Sequence, residues 1–154
     1  MRKLASLFLL VLILGLVGCS SNTEVKNIPI SDIKAAINNE TLLTIQPISD
    51  VDAKEFYAFE NVKKDIKEGF VLQAMINVKL QDVFVVKTDN VEKVKQAIEE
   101  YKTNSLRMFA DGYGADDNAT AVANSILESV GDYVYFIATT NAKDIETKIL
   151  EMIK

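Results

Sequence analysis

The chain has 154 residues, with 17 Lys or Arg against 22 Asp or Glu, a formal charge of −5 and 49% hydrophobic residues. These values suit one ordinary globular domain and argue against an intrinsically disordered, collagen-like or multi-span membrane protein. With no His and a single Cys, the chain by itself cannot assemble Ser-His-Asp or Cys-His catalysis, a His-ligated or thiolate-cluster zinc site, or a disulfide framework.

Arg2 and Lys3 give a short cationic start, followed by the uncharged run Leu4 to Val17. As a helix this run would span roughly 21 Å, against about 30 Å of hydrocarbon in a bilayer, so it reads as a cleaved signal peptide and not as a permanent span. It ends in Leu16-Val17-Gly18-Cys19, which resembles the lipobox of bacterial lipoproteins, with the chain's only thiol at the position that takes the lipid. Residues 1–18 are therefore expected to be the signal peptide and Cys19 the lipidated N-terminus, held stably because two acyl chains anchor where one does not. Removing residues 1–18 takes Arg2 and Lys3 and no acid, leaving 15 bases against 22 acids and a formal charge of −7. A nucleic-acid footprint is absent, and so is a polybasic patch that could grip anionic lipid. Ser20 to Asn27 is polar apart from Val25, so residues 19–27 are expected to be the lipidated cysteine and a tether, and 28–154 a single domain.

Within that domain the first expected element is a short helix from Ser31, its N-cap, to about Asn39, with Ile33, Ala36 and Ile37 on one face. Gln46-Pro47 breaks regularity, and a second short helix is expected from Ser49 or Asp50, carrying Val51, Phe56 and Tyr57. From Phe70 to Leu80 the apolar period changes to two, a strand with one buried face, and Val83-Phe84-Val85-Val86 follows too soon for a crossover helix. The two runs should pair as an antiparallel hairpin whose second strand, apolar on both faces, is central. Asp89 and Glu92 form a capping-box pattern for the longest helix, on which Val91, Val94, Ile98, Tyr101, Ser105 and Met108 share a stripe. After a glycine break, Asp117 should cap a helix with Ala119, Val122, Ala123, Ile126, Leu127 and Val130 on one side, stopped by Gly131. Tyr133 to Ala138 is a third strand, and Asn141 should cap a last helix with Ile145, Ile149, Leu150 and Ile153 facing inward. The order α-α-β-β-α-α-β-α lacks the alternation of a doubly wound sheet, so the expected fold is α+β: about three largely antiparallel strands with helices gathered mainly on one face.

Met75 to Lys87, running into a capped helix, resembles the hairpin of the DUF4358 family, found in lipoproteins of Gram-positive bacteria. Gly131-Asp132-Tyr133-Val134 is similar to the step that opens that family's last strand, and the resemblance covers roughly Ile28 to Ile153. Where it implies an aromatic residue followed closely by proline, this chain has Tyr113-Gly114-Ala115-Asp116. The resemblance implies no activity and no catalytic residue.

The most unusual segment is Asp111 to Asn118, with two glycines, an aromatic residue and three acids. It lacks the Asp-x-Asp-x-Asp-Gly order of a calcium loop, and Val122 stands where the bidentate Glu would be, so it is expected to join two helices and not to hold metal. Gly112 and Gly114 are too few for a phosphate-cradling motif. Glu99-Glu100 and Asp116-Asp117 are adjacent acids, expected at the solvated surface. Tyr101, Tyr133, Tyr135 and Phe136 sit at core spacing, though they could line a pocket.

The resulting expectation is a lipid-anchored extracytoplasmic domain at the cell membrane, without catalytic residues, metal or cofactor. Its partners would be the membrane, through lipid on Cys19, and a protein or envelope component nearby. A small-ligand carrier or sensor with an aromatic-lined groove is the alternative, and a carboxylate-based cell-wall hydrolase the next.

Overall fold

The computed structural model describes residues 24–154; the signal peptide, Cys19 and the first part of the tether, all expected within 1–23, lie outside the described residues. Five strands form one antiparallel sheet: β1 (Ile48–Asp52), β2 (Ile66–Ala74), β3 (Asp82–Thr88), β4 (Ile126–Val130) and β5 (Tyr133–Ala138), in the spatial order β1-β2-β3-β5-β4. The helices are α1 (Ile30–Ile37), α2 (Val91–Ser105), α3 (Arg107–Ala110), α4 (Asn118–Ala123) and α5 (Ala142–Ile153), with 3₁₀ segments at Ala53–Glu55 and Tyr57–Asp65.

The expected hairpin is present, Phe70 opposite Val85 and Leu72 opposite Val83, and β3 is central. Every residue of β3 is buried. Because successive side chains point to opposite faces, Val83 and Val85 enter one core with Phe70, Leu72, Tyr135 and Ile137, while Phe84 and Val86 enter another with Val71, Val134 and Phe136. The first core is covered by α1 and α5, through Ile33, Ile37, Ile145 and Ile149. The second is covered by the 3₁₀ segments, α2 and α4, through Phe56, Phe59, Ile98 and Val122. Helices thus lie on both faces of the sheet, which corrects the one-sided packing expected from sequence: a strand apolar on both faces must be covered on both.

The sheet also has two more strands than expected. Ile48–Asp52, expected to open a helix, pairs with β2 as β1, and Phe56 and Tyr57 follow in the 3₁₀ region. The helix expected from Asp117 stops at Ala123, and Ile126 to Val130 pairs with β5 as β4. Gly131, at φ 60°, turns this β4–β5 hairpin and does not end a helix. β2 ends at Ala74, so Met75 to Leu80 forms the β2–β3 turn. Smaller corrections concern the caps. α1 begins at Ile30 with Ser31 inside it, and Asn90, not Asp89, accepts from the Lys93 N–H to cap α2. Asp117 and Asn141 precede α4 and α5 without side-chain cap bonds. The stripe on α2 holds for Val94, Ile98 and Tyr101, all buried, but the helix breaks at Leu106 and Met108 is exposed on α3.

No helix among the described residues is long and apolar enough to cross a membrane.

Candidate functional site

The antiparallel sheet has two ends, and they differ in chemistry. At one end, where β2 begins and β3 finishes, the segment Val25 to Ile28 is laid against the domain. The Lys26 N–H donates to the Ile153 carbonyl at 2.9 Å. Tyr133, fully buried at the start of β5, accepts from the Ile28 N–H at 2.7 Å, and its hydroxyl stands 3.1 and 2.9 Å from the Lys26 and Ile28 carbonyls. Lys87 on β3 donates to the Asn27 side chain and, at 3.1 Å, to the Ile28 carbonyl. It also pairs with Glu68 at 3.3 Å and lies 4.9 Å over the Tyr133 ring. Burial opposes the Lys87 charge, but the hydroxyl of Tyr133 and the carboxylate of Glu68 outweigh it and hold its pKa above the ordinary lysine value. Val25, Lys26 and Asn27, placed in the tether by sequence, are therefore strapped to the domain.

At the opposite end, beyond Ala74, Asp82 and Ala138, two loops abut. The β2–β3 turn contributes Met75, Ile76 and Val78, and the region of α3 and the following loop contributes Met108 and Tyr113. These five are among the seven exposed large hydrophobic residues of the described chain, so exposed apolar surface is concentrated at this pole. The loops are fastened by Asn118, a buried polar residue at the start of α4. Its Nδ2 donates to the Val78 and Tyr113 carbonyls at 3.0 and 2.9 Å, and its Oδ1 accepts from the Leu80 N–H at 2.9 Å. The Ala115 N–H adds a bond to the Val78 carbonyl at 3.0 Å. Tyr113 is held between two glycines in the left-handed region, Gly112 at φ 91° and Gly114 at φ 84°. A Cβ on Gly114 would lie 2.3 Å from the Val78 carbonyl oxygen, so only glycine fits where the loops meet. The expected connector is therefore also a mount for an exposed aromatic ring, which packs 6.1 Å from Phe109.

Behind this pole lies a buried polar cluster. Asp82, at the start of β3, accepts from the Tyr101 hydroxyl at 2.6 Å and from the Gln73 amide at 3.0 Å. The same amide stands 3.0 Å from the Tyr101 oxygen. Burial disfavours the charged carboxylate and pushes the Asp82 pKa up to about 6, although both hydrogen bonds act in the opposite direction. Tyr101 is raised as well, by burial and by the neighbouring carboxylate.

The candidate residues chosen from sequence do not converge on one centre. Tyr101 and Phe136 meet in the aromatic core around Phe84, whereas Tyr133 and Tyr135 lie in the other core. Asp111, Asp116 and Asp117 are exposed around the apolar pole, and Glu99 and Glu100 are exposed on α2. Sequence reasoning missed Asn118 and Asp82, which show only as single polar residues beside apolar runs, and Met75-Ile76-x-Val78, whose alternation looked like the end of a buried strand.

Searches of curated proteins and of solved structures return no match. The family model for a domain of unknown function, DUF4358, matches residues 38–139, about two thirds of the chain. That span runs from the end of α1 through β5 and contains the whole sheet, the loop-fastening Asn118 and the apolar pole. The chain belongs to the DUF4358 family.

Proposed function

We propose that the protein is a lipid-anchored, extracytoplasmic, non-enzymatic domain that presents its apolar pole to a protein partner while Cys19 holds the opposite end at the cell membrane. The observation that carries this reading is the opposition of the two ends: the strap nearest Cys19 joins the domain beside Tyr133 and Lys87, and the exposed apolar side chains crowd the far end of the sheet. With Val25 already against the domain, the link from Cys19 reaches at most roughly 20 Å, which keeps the strapped end next to the membrane and turns the pole outward. The fastening by Asn118 and Gly114 favours binding, because loops already ordered lose little entropy when a partner docks. Asp111, Asp116 and Asp117 rim the pole together with Lys79 and Arg107, all exposed, and Arg107 pairs with Asp111 at 3.7 Å. Charges of both signs around an apolar centre favour a protein surface of complementary pattern over a lipid surface.

Site-specific photocrosslinking on intact cells tests this reading. A crosslinker at Tyr113 should give one discrete protein adduct, absent when the crosslinker is at Glu151 on α5 and lost in the Ile76→Ser, Val78→Ser double variant. Adducts from both positions, or from neither, would overturn it.

A further inference from the structure

A different face of the molecule carries a trough between the Tyr57–Asp65 segment and α2. Two adjoining depressions of about 270 and about 210 Å³ share Ala58, Asn61, Ala97 and Glu100, and so form one continuous groove. Ala58 and Ala97 are small, which leaves the space open. Tyr57, 66% exposed, stands at one end. Its ring is braced by two tilted neighbours, 4.7 Å from Phe56 and 6.1 Å from Tyr101 between centroids, and its hydroxyl is 2.9 Å from the Ser105 hydroxyl. An aromatic ring held in place yet largely in solvent is a platform without an occupant in its own chain. Along the groove stand Asn61, Gln96, Glu100 and Asn104, all exposed, and the Gln96 amide steadies Glu100 with a bond of 3.2 Å.

The lining discriminates among ligand classes. An apolar ligand would desolvate three amides and a carboxylate without pairing them. An anion would meet Glu100, and the cation at the groove's edge, Lys93, is engaged with Asp65 at 3.5 Å. A polyhydroxylated neutral ligand matches: amides donate and accept, as hydroxyls do, and the C–H face of a sugar ring packs on an aromatic ring. We propose that this groove binds a saccharide chain, with Tyr57 as the stacking platform and Asn61, Gln96, Glu100 and Asn104 as hydroxyl partners. The site is separate from the apolar pole, so it stands or falls independently of the partner proposed there.

Saturation-transfer NMR on the full chain in detergent, with chitotetraose and cellotetraose as neutral probes and glycerol phosphate as the anionic control, tests the assignment. Saturable binding of at least one tetrasaccharide and none of glycerol phosphate is expected. Tyr57→Ala should weaken binding at least about tenfold, while Tyr57→Phe, which keeps the ring, should stay within about threefold of the native chain. Asn104→Ala, at an exposed position that leaves both cores intact, should weaken binding as well. Binding of neither tetrasaccharide, equal binding of glycerol phosphate, or affinity unchanged in both Tyr57→Ala and Asn104→Ala would overturn the proposal.

Discussion

Asp82 ties the stability of the domain to pH in a way that one substitution can isolate. Its carboxyl is buried behind the apolar pole and titrates near 6 in the folded chain instead of near 3.8. The folded state therefore holds this proton more tightly than the unfolded state does. A raised carboxyl favours folding below about pH 4, and that contribution is lost as the pH rises through 6. A shift of about two units corresponds to roughly 3 kcal/mol, the balance of the burial that penalises the charge and the Tyr101 and Gln73 hydrogen bonds that favour it. In Asp82→Asn the side chain keeps its shape and loses its proton. The stability difference between the native chain and this variant should move by about 2–3 kcal/mol, in favour of the variant, between pH 4 and pH 7. Urea unfolding of both proteins at steps across that range measures it, with other carboxylates cancelling in the comparison. Parallel stability curves across the whole range would refute the burial of a titrating carboxyl at this position.

Other substitutions test the packing and the two ends. Ile98→Ala, on the buried stripe of α2, should cost about 2–5 kcal/mol in a thermal or urea melt. Asn118→Ala should cost about 1–3 kcal/mol by leaving the Leu80 N–H and the Val78 and Tyr113 carbonyls without their partner, and hydrogen exchange should quicken first at Leu80. Tyr133→Phe should release the strap, seen as faster exchange of the Ile28 amide, with about 1 kcal/mol lost from global stability.

Elements whose pattern is long and unambiguous were legible in the sequence. The hairpin of β2 and β3, the buried stripe through Ile98 and Tyr101, the strand from Tyr133 and the inner face of α5 all follow from periodicity alone. The two additional strands were hidden for different reasons. Ile48 to Asp52 is five residues with little alternation, and it becomes a strand because β2 offers an edge beside it. Ala119, Val122, Ile126 and Val130 recur at helical steps, so β4 reads as the end of α4, although Asn124-Ser125 interrupts the run. The two-sided packing was in principle visible in Val83 to Val86, since no single layer covers both faces of a strand. The apolar pole was not, because an exposed Ile76 or Val78 looks the same in one dimension as a buried one, and only the meeting of two loops at Asn118 reveals it.

The proposed orientation puts the strapped end at the membrane and the apolar pole away from it. If lipid occupies the sulfur of Cys19, the chain's only thiol, a cysteine introduced as Asp132→Cys at the strapped end or Tyr113→Cys at the pole can be labelled alone. Energy transfer from each label to an acceptor lipid, in vesicles carrying the reconstituted protein, compares their heights above the bilayer. Six residue steps of β3 separate the two ends by about 20 Å, so the label at 132 should transfer strongly and the label at 113 much less. Equal transfer from both positions, or stronger transfer from 113, would show that the apolar pole does not face away from the membrane.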